Sequence, residues 1–264
     1  IVANNESEIL DINKIFTLAK KNGVKNIKIL SNEDSIAIEP MVRSKQSLWI
    51  PSTGIFDSHL FMSKLENLSI SRDVSFLYNL EVDSLSKKNK NYLVGFANEN
   101  FKIKAEYVIN CGGLWSHEIA NKIVDKNYVI EYYKGDYFKA PELKGLKHLI
   151  YPVPSQLSLG IHTVLNLNEE VLLGPNAYKI KNINYLTDDT YKDTFIDEGN
   201  KLVSKKITKI SKDYSGIRPK VEYNNKINDF IINEDSKGLF NLVGIDSPGL
   251  TSSLAIAEYI NNKI

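Results

Sequence analysis

With 264 residues, 42% hydrophobic and 25% charged, the chain can bury a substantial core in one large domain or two interleaved ones; neither disorder nor a membrane protein is indicated. Lys and Arg total 33 against 32 Asp and Glu, and the net charge of +1 argues against a nucleic-acid footprint. The single cysteine, Cys111, excludes an internal disulfide and any multi-cysteine metal site, and the four histidines lack the helical pair spacing that zinc prefers, so no metal is expected.

No signal peptide and no run of roughly 18 apolar residues is present. The expected compartment is the cytoplasm, with the protein either free or peripheral at the inner face of a membrane. Ile1-Val2-Ala3 opens without methionine and has the character of a strand interior. The chain therefore reads as a piece of a longer protein.

After that strand, Ile9, Leu10, Ile12, Ile15, Phe16, Leu18 and Ala19 mark an amphipathic helix over residues 6–21, ended by Asn22-Gly23. Ser31 and Asp34 stand in capping-box spacing for a short helix that Pro40 stops. A strand at 48–50 leads to the turn Pro51-Ser52-Thr53-Gly54, and Asp57 or Ser58 caps a helix expected to bury Leu60, Phe61, Leu65 and Leu68. Strands are expected at 74–78, 92–96 and 101–103, the first two separated by a loop rich in lysine. Residues 106–110 then run into Cys111-Gly112-Gly113 and a helical pattern over 114–124.

From 129 to 174 the pattern returns to strands, including an apolar run at 149–154, and the short spacing suggests an antiparallel sheet. Residues 187–210 are charged and expected to be helical. They lead through residues 213–219 to strands near 230–232 and 240–245, then to Ser247-Pro248-Gly249 and a last helix with Leu250, Leu254, Ile256, Ala257 and Ile260 on one face.

That final strand, turn and helix aims free backbone N–H groups and the positive end of the helix dipole forward, a site for an anionic ligand group, although packing alone also produces the pattern. The 14 glycines include neither G-x-G-x-x-G nor G-x-x-x-x-G-K-[ST], and no serine-hydrolase elbow can be assembled. Cys111 can be read as a thiol at a helix start or, more simply, as a small buried core residue. Gly112 and Gly113 suit a backbone that must come close to another group. Arg218, between Gly216 and Pro219, is a stiffly held fork suited to a carboxylate or phosphate, or to a structural ion pair. His59 and His162 are candidates for a general base, and each is equally readable as an ordinary polar residue.

Taken together, PSTGIFDSHLFM (51–62), VINCGGLWSHEIA (108–120), YYKGDYFKA (132–140), LIYPVP (149–154), LGIHTVL (159–165), VLLGPNAY (171–178), SGIRPKV (215–221) and NLVGIDSPGLTSSLAIAEYI (241–260) resemble the FAD-dependent oxidoreductases of the D-amino-acid oxidase superfamily. Within it the L-2-hydroxyglutarate dehydrogenase family is the most similar. Its proteins begin with a strand, a G-x-G-x-x-G turn and a helix that grips the FAD pyrophosphate, a unit absent here, so the chain resembles the C-terminal portion of the pattern. The stretch between Tyr178 and Ser215 is shorter than usual for the family, and Lys134 stands where arginine is typical.

The resemblance implies a mixed α/β fold, with an FAD-binding α/β domain, incomplete at its N-terminus, from residues 58–124 and 213–264. It is interleaved with an antiparallel-sheet substrate domain from 1–57 and 125–212. It implies FAD as cofactor, a small hydroxy-acid substrate, an N-terminal partner fragment carrying the missing unit, and an electron acceptor that the sequence does not identify. Ser247, Pro248, Gly249, Leu250 and Thr251 match the turn facing the flavin, Asn110, Cys111, Gly112 and Gly113 the strand end beside the adenosine and pyrophosphate half, and Gly216 is implied as a further cofactor-binding residue. Arg218 matches the carboxylate-holding arginine, and His59 and His162 match substrate-side positions. Oxidation of L-2-hydroxyglutarate is the implied reaction; an amine or amino-acid oxidase, or a non-catalytic fragment of a split flavoenzyme, is the alternative.

Overall fold

A computed structural model describes residues 1–123, 127–154, 159–223 and 226–264. In chain order the elements are β1 (Val2–Ala3), α1 (Glu6–Lys21), β2 (Lys28–Ser31), α2 (Asn32–Ile38), β3 (Gln46–Trp49), α3 (Ser58–Ile70), β4 (Val82–Lys88), β5 (Asn91–Phe96), β6 (Lys102–Ala105), β7 (Val108–Asn110), α4 (Ser116–Asn121) and β8 (Val129–Lys139). They continue with β9 (His162–Leu165), β10 (Val171–Gly174), β11 (Tyr178–Ile180), α5 (Lys192–Leu202), β12 (Ser211–Tyr223), β13 (Lys226–Ile227), β14 (Ile231–Ser236), β15 (Leu239–Val243) and α6 (Gly249–Asn261). The mixed α/β class expected from the sequence is the one observed. Two compact units result, one from residues 1–72, 134–178 and 184–216, the other from 73–133, 179–183 and 217–264.

In the first unit, β1, β3 and β2 form a small antiparallel sheet against which α1 buries Ile12. Helix α1 begins where the side chain of Asn5 accepts the Glu8 N–H, and α2 where Ser31 accepts the Asp34 N–H, the spacing the sequence predicts. Each such cap is worth about 1 kcal/mol. The larger core of this unit is apolar: Phe138, Leu143, Leu173, Phe195, Leu202 and Val203 are fully buried or nearly so, with the Phe138 and Phe195 rings 4.7 Å apart. Strands β8, β10 and β9 pair antiparallel in that order, which sets Gly174 opposite His162.

In the second unit, β14 and β15 pair antiparallel and β15 and β7 parallel, giving the order β14–β15–β7. Helix α6 covers Phe240 and Leu242 through Ile260 and Ile256. On the other face Val243 meets Tyr128, Ile130 and Val221. The separate meander β4–β5–β6 turns at Asn89, whose positive φ of 58° makes the two-residue hairpin possible.

Several expectations are corrected. Residues 74–78 form no strand; the hairpin lies later, and the lysines at 87 and 88 end β4 instead of forming the loop. The run at 149–154 joins no strand ladder, since Pro152 and Pro154 lack the N–H a central strand needs. Helix α5 stops at Leu202, where Val203 turns extended to bridge Val42, so only part of 187–210 is helical. The connection through 213–219 is itself strand β12. Helix α3 forms with Asp57 as its cap, yet none of its residues is buried and Leu60 and Leu68 are exposed, because no described element covers its apolar side. The helix expected over 114–124 is a single 3-10 turn followed by α4, and Val124 lies outside the described residues.

Candidate functional site

In the second unit the parallel strands β7 and β15 end side by side and both turn at glycine. Asn110, the last residue of β7, is buried: its amide donates to Ser116 O at 2.7 Å and to Asn241 Oδ1 at 2.9 Å, and its Oδ1 accepts the Gly112 N–H at 3.1 Å. Asn241 in turn donates to Asp235, which also accepts from Tyr128. This paired-amide brace locks the two strand ends together, and nothing in the sequence pattern around Asn110 and Asn241 announces it. Gly112 fits closely there, since a Cβ would lie 2.9 Å from Ile119 Cδ1 and 3.2 Å from Ser116 Cα. Gly113 differs: φ is +56° and a Cβ would meet only open space. Its backbone is open to close approach. Cys111, expected as a buried core residue, is exposed, and partial burial of its thiol raises the pKa, so it is not an activated thiolate.

After β15, Gly244 takes φ +72° against Val221, and Asp246, nearly buried, is paired with Lys220 at 2.7 Å. Ser247 and Pro248 are joined by a cis peptide bond and α6 starts at Gly249, where a Cβ would lie 2.5 Å from Ile245 Cγ2. Ser247, Pro248, Leu250 and Thr251 are exposed. No side chain caps the helix; the hydroxyls of Thr251 and Ser252 both donate backward to the Pro248 carbonyl. The Gly249 N–H turns back to the Asp246 carbonyl, which leaves the N–H groups of Leu250 and Thr251 for an outside acceptor, with the helix dipole behind them. Of the face predicted for α6, only Ile256 and Ile260 pack; Leu250 and Leu254 are exposed. Arg218, on β12, is half-buried, and its guanidinium makes no ion pair or hydrogen bond among the described residues.

In the first unit His162 is buried and opens β9. Its Nδ1 lies 2.9 Å from the Gly160 carbonyl oxygen, which can only accept, so Nδ1 carries hydrogen and Nε2 is the basic nitrogen of the neutral ring. Tyr151 stacks on the imidazole. His59, by contrast, is exposed on the first turn of α3. Gly216, on the first unit's part of β12, has open space where a Cβ would stand, so the protein's own packing does not demand glycine there.

A polar network that the sequence reading missed also lies in this unit. Lys134 and Asp136, two residues apart on β8, share one strand face and are both buried, 3.7 Å apart. Lys134 donates to the Leu186 carbonyl and the Tyr178 hydroxyl donates to Asp136 at 2.8 Å. Burial and that carboxylate raise the pKa of Tyr178. The i, i+2 placement of opposite charges, Lys134 and Asp136, on one strand face was the available signal.

For FAD these residues fit part of the molecule. The uncapped α6 N-terminus and the open backbone at Gly113 suit electron-rich groups, whereas a glycine-rich phosphate cradle is missing from the sequence.

Residues 1–262 match the family described as FAD dependent oxidoreductase. The L-2-hydroxyglutarate dehydrogenase of Arabidopsis thaliana is 32% identical over 318 aligned positions, covering all of this chain and 65% of its own length. The glycerol 3-phosphate dehydrogenase of Caloramator mitchellensis is 27% identical, over 98% of this chain and 55% of its own. Among solved structures, the FAD-bound L-alpha-glycerophosphate oxidase of Mycoplasma pneumoniae superposes with a TM-score of 0.85 at 23% identity, covering 97% of this chain and 70% of that one. Glycine oxidase from Bacillus cereus superposes at 0.77 and 16% identity. The chain thus spans just under two thirds of the Arabidopsis relative, and no described helix is long and apolar enough to cross a membrane. By its match over residues 1–262, the chain belongs to the family of FAD-dependent oxidoreductases.

Proposed function

We propose that the protein of which this chain is part oxidises a 2-hydroxy acid, most simply L-2-hydroxyglutarate, to the 2-oxo acid. The observation that carries the reading is the 32% identity to an L-2-hydroxyglutarate dehydrogenase along the whole chain. FAD, when bound, supplies the acceptor for the hydride that leaves C2. Leu250 and Thr251 would then present free N–H groups to the flavin's electron-rich side, with Ser247, Pro248 and Gly249 forming the turn that faces it, and Cys111, Gly112 and Gly113 would line its adenosine and pyrophosphate half. On this reading the second unit is the cofactor-binding portion and the first the substrate portion.

Arg218, whose guanidinium makes no ion pair among the described residues, holds the substrate carboxylate, and Gly216, with open space where a Cβ would stand, lies on the cofactor side. His162 takes the hydroxyl proton at Nε2, its Nδ1–H being held by the Gly160 carbonyl. His59 remains the other substrate-side histidine, exposed where it stands. The pyrophosphate grip comes from polypeptide outside residues 1–264, and the electrons pass to an acceptor these residues do not identify.

A second reading, oxidation of glycerol 3-phosphate, is favoured by the Caloramator relative, which matches 98% of this chain. The test is turnover by the protein expressed with its complete coding sequence. L-2-hydroxyglutarate should be oxidised with bleaching of the flavin absorbance, and D-2-hydroxyglutarate should not. Reduction by glycerol 3-phosphate alone would favour the second reading, and a protein without flavin would sink both.

A further inference from the structure

Glu39, the C-cap residue of α2, is buried, and its carboxylate is held from several sides. Its Oε1 accepts the Met41 N–H at 3.1 Å, and its Oε2 accepts the N–H groups of Lys147 at 2.8 Å and His148 at 3.1 Å. The same Oε2 lies 3.2 Å from His148 Nδ1. An ionised carboxylate only accepts, so Nδ1 carries hydrogen, and Nε2 is left without a partner among the described residues. Trp49 packs edge-on against the imidazole, with centroids 5.2 Å apart, and restrains it further. This oriented histidine lines a cavity of about 460 Å³ in the first unit, a volume ordinary for a small-molecule site. Lys147 lines it too, its ammonium unpaired among the described residues, and no aspartate or glutamate does. Trp49, Ile50, Ile55 and Leu159 give the cavity apolar walls, and His162 is not among its lining residues.

We propose that this cavity binds an organic monocarboxylate with an apolar body, a short fatty acid in chemical terms. The carboxylate lies between His148 Nε2 and Lys147, and the hydrocarbon lies against Trp49, Ile50 and Ile55. His148 donates from Nε2 in its protonated form, and Glu39 behind it balances the charge. The composition of the walls selects this class. A neutral apolar ligand leaves Lys147 and Nε2 unused, and a small inorganic anion leaves the apolar walls wet. A dicarboxylate such as 2-hydroxyglutarate would press its second charge against side chains that offer no hydrogen bond. The inference goes beyond the functional reading above and does not rest on it, since the ligand needs neither a hydroxyl to oxidise nor a flavin.

The test titrates the protein, expressed from its complete coding sequence, with sodium octanoate and separately with 1-octanol, followed by calorimetry. Octanoate should bind saturably at one site, and octanol, which keeps the chain without the charge, at least about tenfold more weakly. In His148→Asn the amide stands near the place of Nδ1, so the tie to Glu39 survives while Nε2 is lost. Octanoate should then bind about tenfold more weakly or worse, with octanol unchanged. Lys147→Gln, at an exposed position, should cost octanoate about two- to fivefold. Ile55→Asp, also exposed, sets a carboxylate in the wall and should abolish octanoate binding. These two exposed variants decide the matter if His148→Asn does not fold. No saturable octanoate binding, octanol bound as tightly as octanoate, or octanoate binding that neither Lys147→Gln nor Ile55→Asp weakens overturns the inference. Flavin content enters none of these outcomes, so they stand or fall separately from the oxidation of a hydroxy acid.

Discussion

Tyr151 lies on His162 with ring centroids 4.1 Å apart and planes 20° from parallel. The stack and the 2.9 Å contact of Nδ1 with the Gly160 carbonyl together seat a buried imidazole in one orientation. If Nε2 takes the substrate proton, His162→Gln should lower kcat by about 10²–10⁴. Flavin content should not change. His59→Gln, at an exposed position, should cost much less, and equal losses in the two variants would shift the base away from His162. Tyr151→Leu should lose about 0.5–1.5 kcal/mol of stability from the broken aromatic pair, read as a lowered urea midpoint.

Arg218 makes no ion pair among the described residues, so its removal should leave the fold nearly untouched. Arg218→Ala should shift stability by less than about 0.5 kcal/mol. Loss of a charge-assisted, two-pronged carboxylate contact of about 1.5–3 kcal/mol should lower kcat/KM roughly 10–150-fold. Arg218→Lys should recover only part of that, because an ammonium cannot present the planar fork. Steady-state kinetics beside thermal melts check both. A stability loss equal to the kinetic loss would give Arg218 a structural role.

Lys134 and Asp136 are a buried pair 3.7 Å apart, and Asp136 Oδ1 has no hydrogen-bond partner. Lys134→Met should therefore destabilise by about 3–5 kcal/mol, since it strands a buried carboxylate. The triple variant Lys134→Met, Asp136→Leu, Tyr178→Phe should regain most of that, because no charge or hydroxyl of the network is then left without a partner. Urea denaturation of both variants decides it: a triple variant no more stable than the single one would show that the pair is held for more than its own solvation.

The Asn110 brace predicts an intolerance of charge. In Asn110→Asp the atom that donated to Ser116 O and Asn241 Oδ1 becomes an acceptor facing acceptors. About 1–3 kcal/mol of stability should be lost, and more if the carboxylate stays ionised. The urea midpoint at pH 7 and at pH 5 measures this. Protonation restores one donor, so the loss should be smaller at the lower pH.

Much of the fold was legible in the chain because its signals are local. Asn5, Ser31 and Asp57 cap helices through their own backbone neighbourhood, and the alternation from Val129 to Lys139 gives a strand wherever its partners lie. The glycine turns after β7 and β15 were legible for the same reason, and with them the order of motifs that points to a flavin enzyme. What the sequence could not determine was which apolar residues would find cover. Leu60, Leu68, Leu250 and Leu254 have helical spacing but stay exposed, and Cys111 follows directly on a strand yet is exposed, since burial depends on elements distant in the chain. The Asn110–Asn241 brace and the Lys134–Asp136–Tyr178 network likewise exist only in three dimensions. A buried polar group must find a partner at hydrogen-bond distance, and folding alone brings residues 131 and 42 positions apart to within 3 Å.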